Sequence, residues 1–210
     1  LGSLPTTDSK SNFVDRQIKF PEGINEAIVN KGTEQKSMVG FMIKNDFDNT
    51  IKNRLELQIL VKILSIRLRE NMREDQGGVY GVQVQQNTSM YPTPDYNIFI
   101  AWGCSPDDVD TLVNTVFTEM NYLINNGAGD VNLEKALETY KRDLESSQEK
   151  NKYWLNEMKD SKWLNSEMLS AEKQQTIVEN ISKEDLQAAA IKYFTKDHYL
   201  KVVLMPEESK

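Results

Sequence analysis

Histidine and cysteine are nearly absent: the 210 residues contain one of each, His198 and Cys104. A single cysteine forms no internal disulfide and builds no cysteine zinc site. A single histidine excludes any metal motif that needs two imidazoles. Long apolar runs are missing as well, and no stretch approaches the roughly 20 apolar residues that span a bilayer. Basic charge is in short supply. Against 32 Asp and Glu stand 25 Lys and Arg, a net charge of −7. Nucleic-acid binding needs a basic patch to meet phosphates, so this balance disfavours such a partner. Internal repeats and low-complexity tracts are absent. Leu1-Gly2-Ser3-Leu4-Pro5 has neither the basic start nor the apolar core of a signal peptide. Lacking an initiator Met, the chain reads as cut from something longer.

What is present is ordinary for a globular protein: 39% hydrophobic and 27% charged residues. The length suits one large domain or two small ones. Residues 1–20 are polar and read as a linker from a preceding domain, leaving 21–210 as a single domain. Phe20-Pro21-Glu22-Gly23 signals a turn. Ile24 to Asn30 and Ser37 to Lys44 read as two neighbouring strands. From about Asn53 to Met72, apolar residues form two stripes at helical spacing. Leu55, Ile59, Ile63 and Ile66 make one; Leu57, Leu60, Leu64 and Leu68 make the other. Such a helix is wedged between a sheet and further helices, with Arg54, Lys62, Arg67 and Arg69 covering the rest.

The stretch Asn71-Met72-Arg73-Glu74-Asp75-Gln76-Gly77-Gly78-Val79-Tyr80-Gly81 is the hinge of the pattern. Helical spacing stops there and strand alternation begins. Glycine ends helices because it takes positive φ at little cost. Arg73 therefore lies near a helix C-terminus and Tyr80 near the start of the next strand. Two rigid elements bring a guanidinium and a phenol together, a suitable pair for a carbonyl or carboxylate. The plainer readings stand beside this. Arg73 is also a good cation for a helix C-terminus, and Tyr80 a good strand former. By alternation Tyr80 shares a face with Val82 and Val84, which look like core.

Val79 to Thr88 and Tyr96 to Gly103 read as two more strands. Ser105-Pro106-Asp107-Asp108 is a helix start, with Ser105 as cap. That helix runs to Asn125-Asn126-Gly127. Asp130 opens another helix, through Leu144 and on toward Trp154 and Met158. Ile181-Ser182-Lys183-Glu184-Asp185-Leu186 reads as a capped start, with its helix reaching Phe194. Tyr199 to Met205 is the last strand. The order β-β-α-β-β-α-α-α-β gives an α+β fold, a largely antiparallel sheet with helices packed on one face. Trp154, Met158, Trp163 and Met168 either pack in the core or face a neighbouring domain. His198 reads as a surface or strand-edge residue, and Cys104 as a small buried hydrophobe.

Leu68 to Val82, Leu-Arg-Glu-Asn-Met-Arg-Glu-Asp-Gln-Gly-Gly-Val-Tyr-Gly-Val, resembles the C-terminal, non-catalytic domains of the pitrilysin/insulysin (M16-type) zinc peptidases. Bacterial members and mitochondrial processing peptidase are similar. In those domains a long helix ends in Leu-Arg-Glu-x-x-Gly-x-x-Tyr, with Arg and Tyr seven apart, as Arg73 and Tyr80 are. Leu1 to Pro5 is similar to the family's linker, and Gly32 to Ser37 to the lead-in of its second strand. The family's catalytic signature, His-x-x-Glu-His with a distal Glu, is impossible with one histidine. The resemblance therefore implies a zinc-less domain that binds no cofactor, with zinc in the parent's catalytic domain. It implies that two halves close around a chamber, and that Arg73 and Tyr80 bind substrate and assist cleavage. Implied partners are that zinc domain, on the same chain or a partner subunit, and a peptide substrate. The implied setting is the bacterial periplasm or envelope, with cytoplasm and mitochondrion as alternatives. A purely structural docking module is the competing function.

Overall fold

Strand β2, Ser37–Asp46, lies at the centre of the sheet. Ser37, Val39, Phe41 and Ile43 are buried, while the residues between them are not. That alternation follows from side chains pointing to opposite faces at successive residues. A computed structural model describes residues 14, 16–76, 79, 81–164 and 167–207, without the side chains of 73–76 and 164. The further elements are β1 Ile24–Asn30, α1 Ile51–Gln76, β3 Val82–Ser89, β4 Asp95–Cys104 and α2 Val109–Asn126. After them come α3 Asp130–Gln148, α4 Asn151–Leu164, α5 Ala171–Glu179, α6 Lys183–Tyr193 and β5 Tyr199–Met205. The α+β fold expected from the sequence is the one observed.

The sheet order is β1-β5-β2-β4-β3. β2 runs antiparallel to β4 and β5, β3 antiparallel to β4, and β1 parallel to β5. One row of the helix-facing surface reads Ile28, Val203, Val39, Trp102, Val82. The next continues through Lys201, Phe41, Ile100 and Val84. The pairing of Ile24–Asn30 with the second strand is corrected: β5 lies between them. The last strand of the chain returns to the middle of the sheet, which no local pattern reports.

Both stripes of α1 face the core, with Leu57, Ile59, Ile63, Leu64 and Leu68 at 0% exposure and Ile66 partly buried. α1 touches β3, α2, α3, α5 and α6, which is why it needs two apolar flanks. Each fully buried Leu or Ile contributes roughly 1.5–3 kcal/mol. Tyr96 belongs to the same core, and its hydroxyl donates to the Tyr193 carbonyl at 2.9 Å. Arg67 departs from expectation: it turns inward against α2 instead of covering a solvated flank.

Helix boundaries follow their caps unevenly. Ser182 accepts from the Asp185 backbone N–H and donates its hydroxyl to the Asp185 carboxylate, which also accepts from the Ser182 N–H. This is the reciprocal capping the sequence announces. Ser105 makes no side-chain cap bond, and Pro106–Asp108 forms a 3-10 turn before α2. α2 stops at Gly127, whose φ of 72° suits glycine. The long charged helix breaks at Glu149 and Lys150 into α3 and α4. Helix α5 is additional, capped by Ser170.

Candidate functional site

The C-terminal end of α1 is built from both faces of the helix. Leu68 and Met72 are fully buried on its core side. On the flank facing α2, Arg67 Nε and Asn71 Nδ2 donate to the two carboxylate oxygens of Glu119, each at 2.5 Å. The Arg67 guanidinium lies 3.7 Å from the centre of the Tyr122 ring, a cation–π contact. The helix continues to Gln76, and β3 opens at Val82 after Gly81, whose φ is +141°. The helix stop expected at Gly77 and Gly78 lies outside the described residues.

Arg73 belongs to the last turn of α1; its side chain lies outside the described residues, as do Tyr80, Gly77 and Gly78. Val82 and Val84, which share Tyr80's alternation, are half-buried on the helix-facing side.

A cleft, unforeseen from sequence, opens near the other end of α1. This cleft of about 650 Å3 is lined by Arg54, Gln58, Gln86, Glu157, Trp163 and Met168 among others. Its polar character and mixed charges differ from an apolar ligand pocket. Burial raises the Glu157 carboxyl above its ordinary value, and Asp160 adds to the shift while Arg54 opposes it. The signal for this cleft lay in Trp163, an aromatic with no helical partner stripe. Trp154, Met158, Trp163 and Met168 are 42%, 54%, 65% and 41% exposed, so they do not pack in the core. Leu155 beside them is 63% exposed.

Among the described residues no group of three or more His, Cys, Asp or Glu is placed to hold a metal ion. His198 Nδ1 accepts from the Gly23 N–H at 3.1 Å, and its ring packs on Phe20. Cys104 is buried, and burial together with Asp108 pushes its thiol up to about 11. A protonated, enclosed thiol neither ligates nor attacks. No described helix is long and apolar enough to cross a membrane.

Residues 1–140 match the family described as the peptidase M16 inactive domain. No curated protein sequence matches the chain. Many solved structures share its fold, three of which illustrate the likeness. A protease from Helicobacter pylori is 19% identical with a TM-score of 0.80, covering 97% of this chain and 49% of its own. The periplasmic protease PqqL from Escherichia coli is also 19% identical, with a TM-score of 0.70 over 87% of this chain. The peptidase M16 inactive domain from Pseudomonas fluorescens is 17% identical, with a TM-score of 0.71, over 92% of this chain and 47% of its own. The chain spans about a fifth of PqqL (21%) and about half of the other two.

Proposed function

The chain belongs to the peptidase M16 inactive-domain family, and we propose that it serves as the zinc-less half of a larger zinc metallopeptidase. In that role it closes the proteolytic chamber and holds an extended peptide, with Arg73 and Tyr80 reaching the bond to be cut. The metal and its activated water belong to the catalytic domain, because one histidine and one cysteine cannot supply a ligand set here. The observation that carries the proposal is the handover from α1 to β3. α1, with Leu68 and Met72 buried near its end, is followed along the chain by the outer strand β3, and Arg73 lies in the last turn of that helix.

The chemistry asked of the pair is donation. A Tyr hydroxyl gives one O–H, and an Arg gives a planar fork that stays protonated. Both strengthen their bonds to a substrate carbonyl as negative charge gathers on its oxygen. In a cavity that excludes water, losing one such donor costs about 100-fold or more in turnover. PqqL is a periplasmic protease, which supports the bacterial envelope as the setting.

The test uses the complete peptidase. Arg73→Ala and Tyr80→Phe should each lower turnover tenfold or more while zinc content stays at the wild-type level. Wild-type turnover in both variants leaves a docking module. That second reading draws on the apolar surface of α4, where Trp154, Leu155 and Met158 are exposed.

A further inference from the structure

We infer that the cleft between the start of α1, the end of β3 and α4 is a second peptide site, one that holds a short peptide by its two charged ends. It is independent of the role proposed for Arg73 and lies toward the opposite end of α1. Its walls come from three elements. Arg54 and Gln58 stand one turn apart on α1, so they share a face. Gln86 continues the inward row of Val82 and Val84 on β3. Glu157 and Trp163 come from α4.

What sets this cleft apart is unspent bonding capacity. Arg54, Gln58, Gln86 and Glu157 are all half-buried. Among the described residues none of their side chains makes a hydrogen bond or an ion pair. The other charges of the lining are matched: Lys159 meets Asp160, and Glu167 meets Lys173. Arg54 and Glu157 lie close enough for one charge to act on the other, yet they do not close into a pair. A carboxyl raised by burial and left without a partner in a concavity marks a site that a cation completes. A ligand with a carboxylate for Arg54, an ammonium for Glu157 and amides between them for Gln58 and Gln86 satisfies all four. A guanidinium takes a carboxylate through two parallel bonds, and a side-chain amide matches the donor and acceptor of a peptide unit. Trp163 and Met168, 65% and 41% exposed, offer an apolar platform for a side chain. Neutral sugars carry neither charge, and a phosphate would face Glu157 and Asp160. The volume, about 650 Å3, falls within the roughly 300–1,000 Å3 of small-ligand sites.

The cleft holds the peptide apart from the bond that is cut, so the readout is binding and not turnover. The probe is the tripeptide Gly-Phe-Gly, titrated calorimetrically into the complete peptidase, beside its C-terminal amide and its N-acetyl form. The free tripeptide should bind with a Kd of about 1 mM or tighter. Either cap removes a charge-assisted contact and should weaken binding about tenfold. In Arg54→Gln the amide should differ from the free peptide by less than about twofold, because the partner of the carboxylate is gone. In Glu157→Gln the same should hold for the acetyl form. No heat of binding at about 10 mM peptide, or a cap penalty that persists in its matched variant, overturns the inference. Should a charge variant fail to fold, Trp163→Ala, at an exposed position of α4, decides. It should weaken Gly-Phe-Gly about fivefold and Gly-Ala-Gly less than about twofold, and equal changes for the two peptides overturn the inference. None of these results bears on the turnover of Arg73→Ala, so the two readings stand or fall separately.

Discussion

The two ends of α1 are held in different ways. At its start, Lys52 reaches Asp185 and Glu56 through water-exposed contacts, its side chain 59% exposed. Near its end, the side chains of Arg67 and Glu119 are only 15% and 7% exposed, and Asn71 joins them. A solvated pair contributes little, because screening and side-chain entropy offset the attraction. A sealed pair is costly to break, because one charge is stranded. The helix is therefore held by a sealed cluster at Arg67 and Asn71, while Glu70 meets Lys135, and Lys52 at the helix start meets Asp185, in solvent-facing pairs.

That contrast can be broken or sharpened by stability measurements. The largest effect belongs to Glu119→Ala, which strands Arg67. It should cost about 3 kcal/mol by urea unfolding. A loss below 1 kcal/mol would place the two ends on the same footing. Next is Ser182→Ala, which removes one arm of the cap where α6 meets the start of α1. It should cost about 1 kcal/mol, seen as a fall of a few degrees in Tm. The smallest effect is the acid dependence of the same corner. The Ser182 hydroxyl, Lys52 and the Ser182 N–H hold the Asp185 carboxyl down at about 2, below its ordinary 3.8. A depressed folded-state value contributes stability that is complete above about pH 4 and is lost as pH falls through about 2. With its side chain 30% exposed, screening keeps the contribution below about 1 kcal/mol. The Tm gap between wild type and Asp185→Asn should narrow over that window and stay constant above pH 5.

These residues also mark what the sequence announces. Local periodicity places β2, β4 and the apolar flanks of α1, because burial of one face imposes a repeat of 2 or 3.6; β1, exposed along nearly all its length, is marked by the turns on either side of it. It does not place β5 between β1 and β2, since pairing partners are remote along the chain. The break between α3 and α4 escaped because Gln148 to Asn151 contains no Gly or Pro. Helix α5 escaped because Val178 alone among its residues is fully buried. The Glu119 cluster joins residues 48 and 52 positions apart. Its trace in the sequence is a carboxylate standing in an apolar helical stripe, between Val116 and Leu123. Arg73 and Tyr80 come from a short motif and the order of elements around it.

The most direct comparison of the two ends is catalytic. Arg54→Ala removes the guanidinium at the cleft, and Arg73→Ala removes the one at the far end of the same helix. Measured side by side in the complete, zinc-loaded peptidase, kcat should fall tenfold or more for Arg73→Ala and less than twofold for Arg54→Ala. Equal values, or the larger loss at Arg54, would contradict a functional centre at the α1–β3 handover.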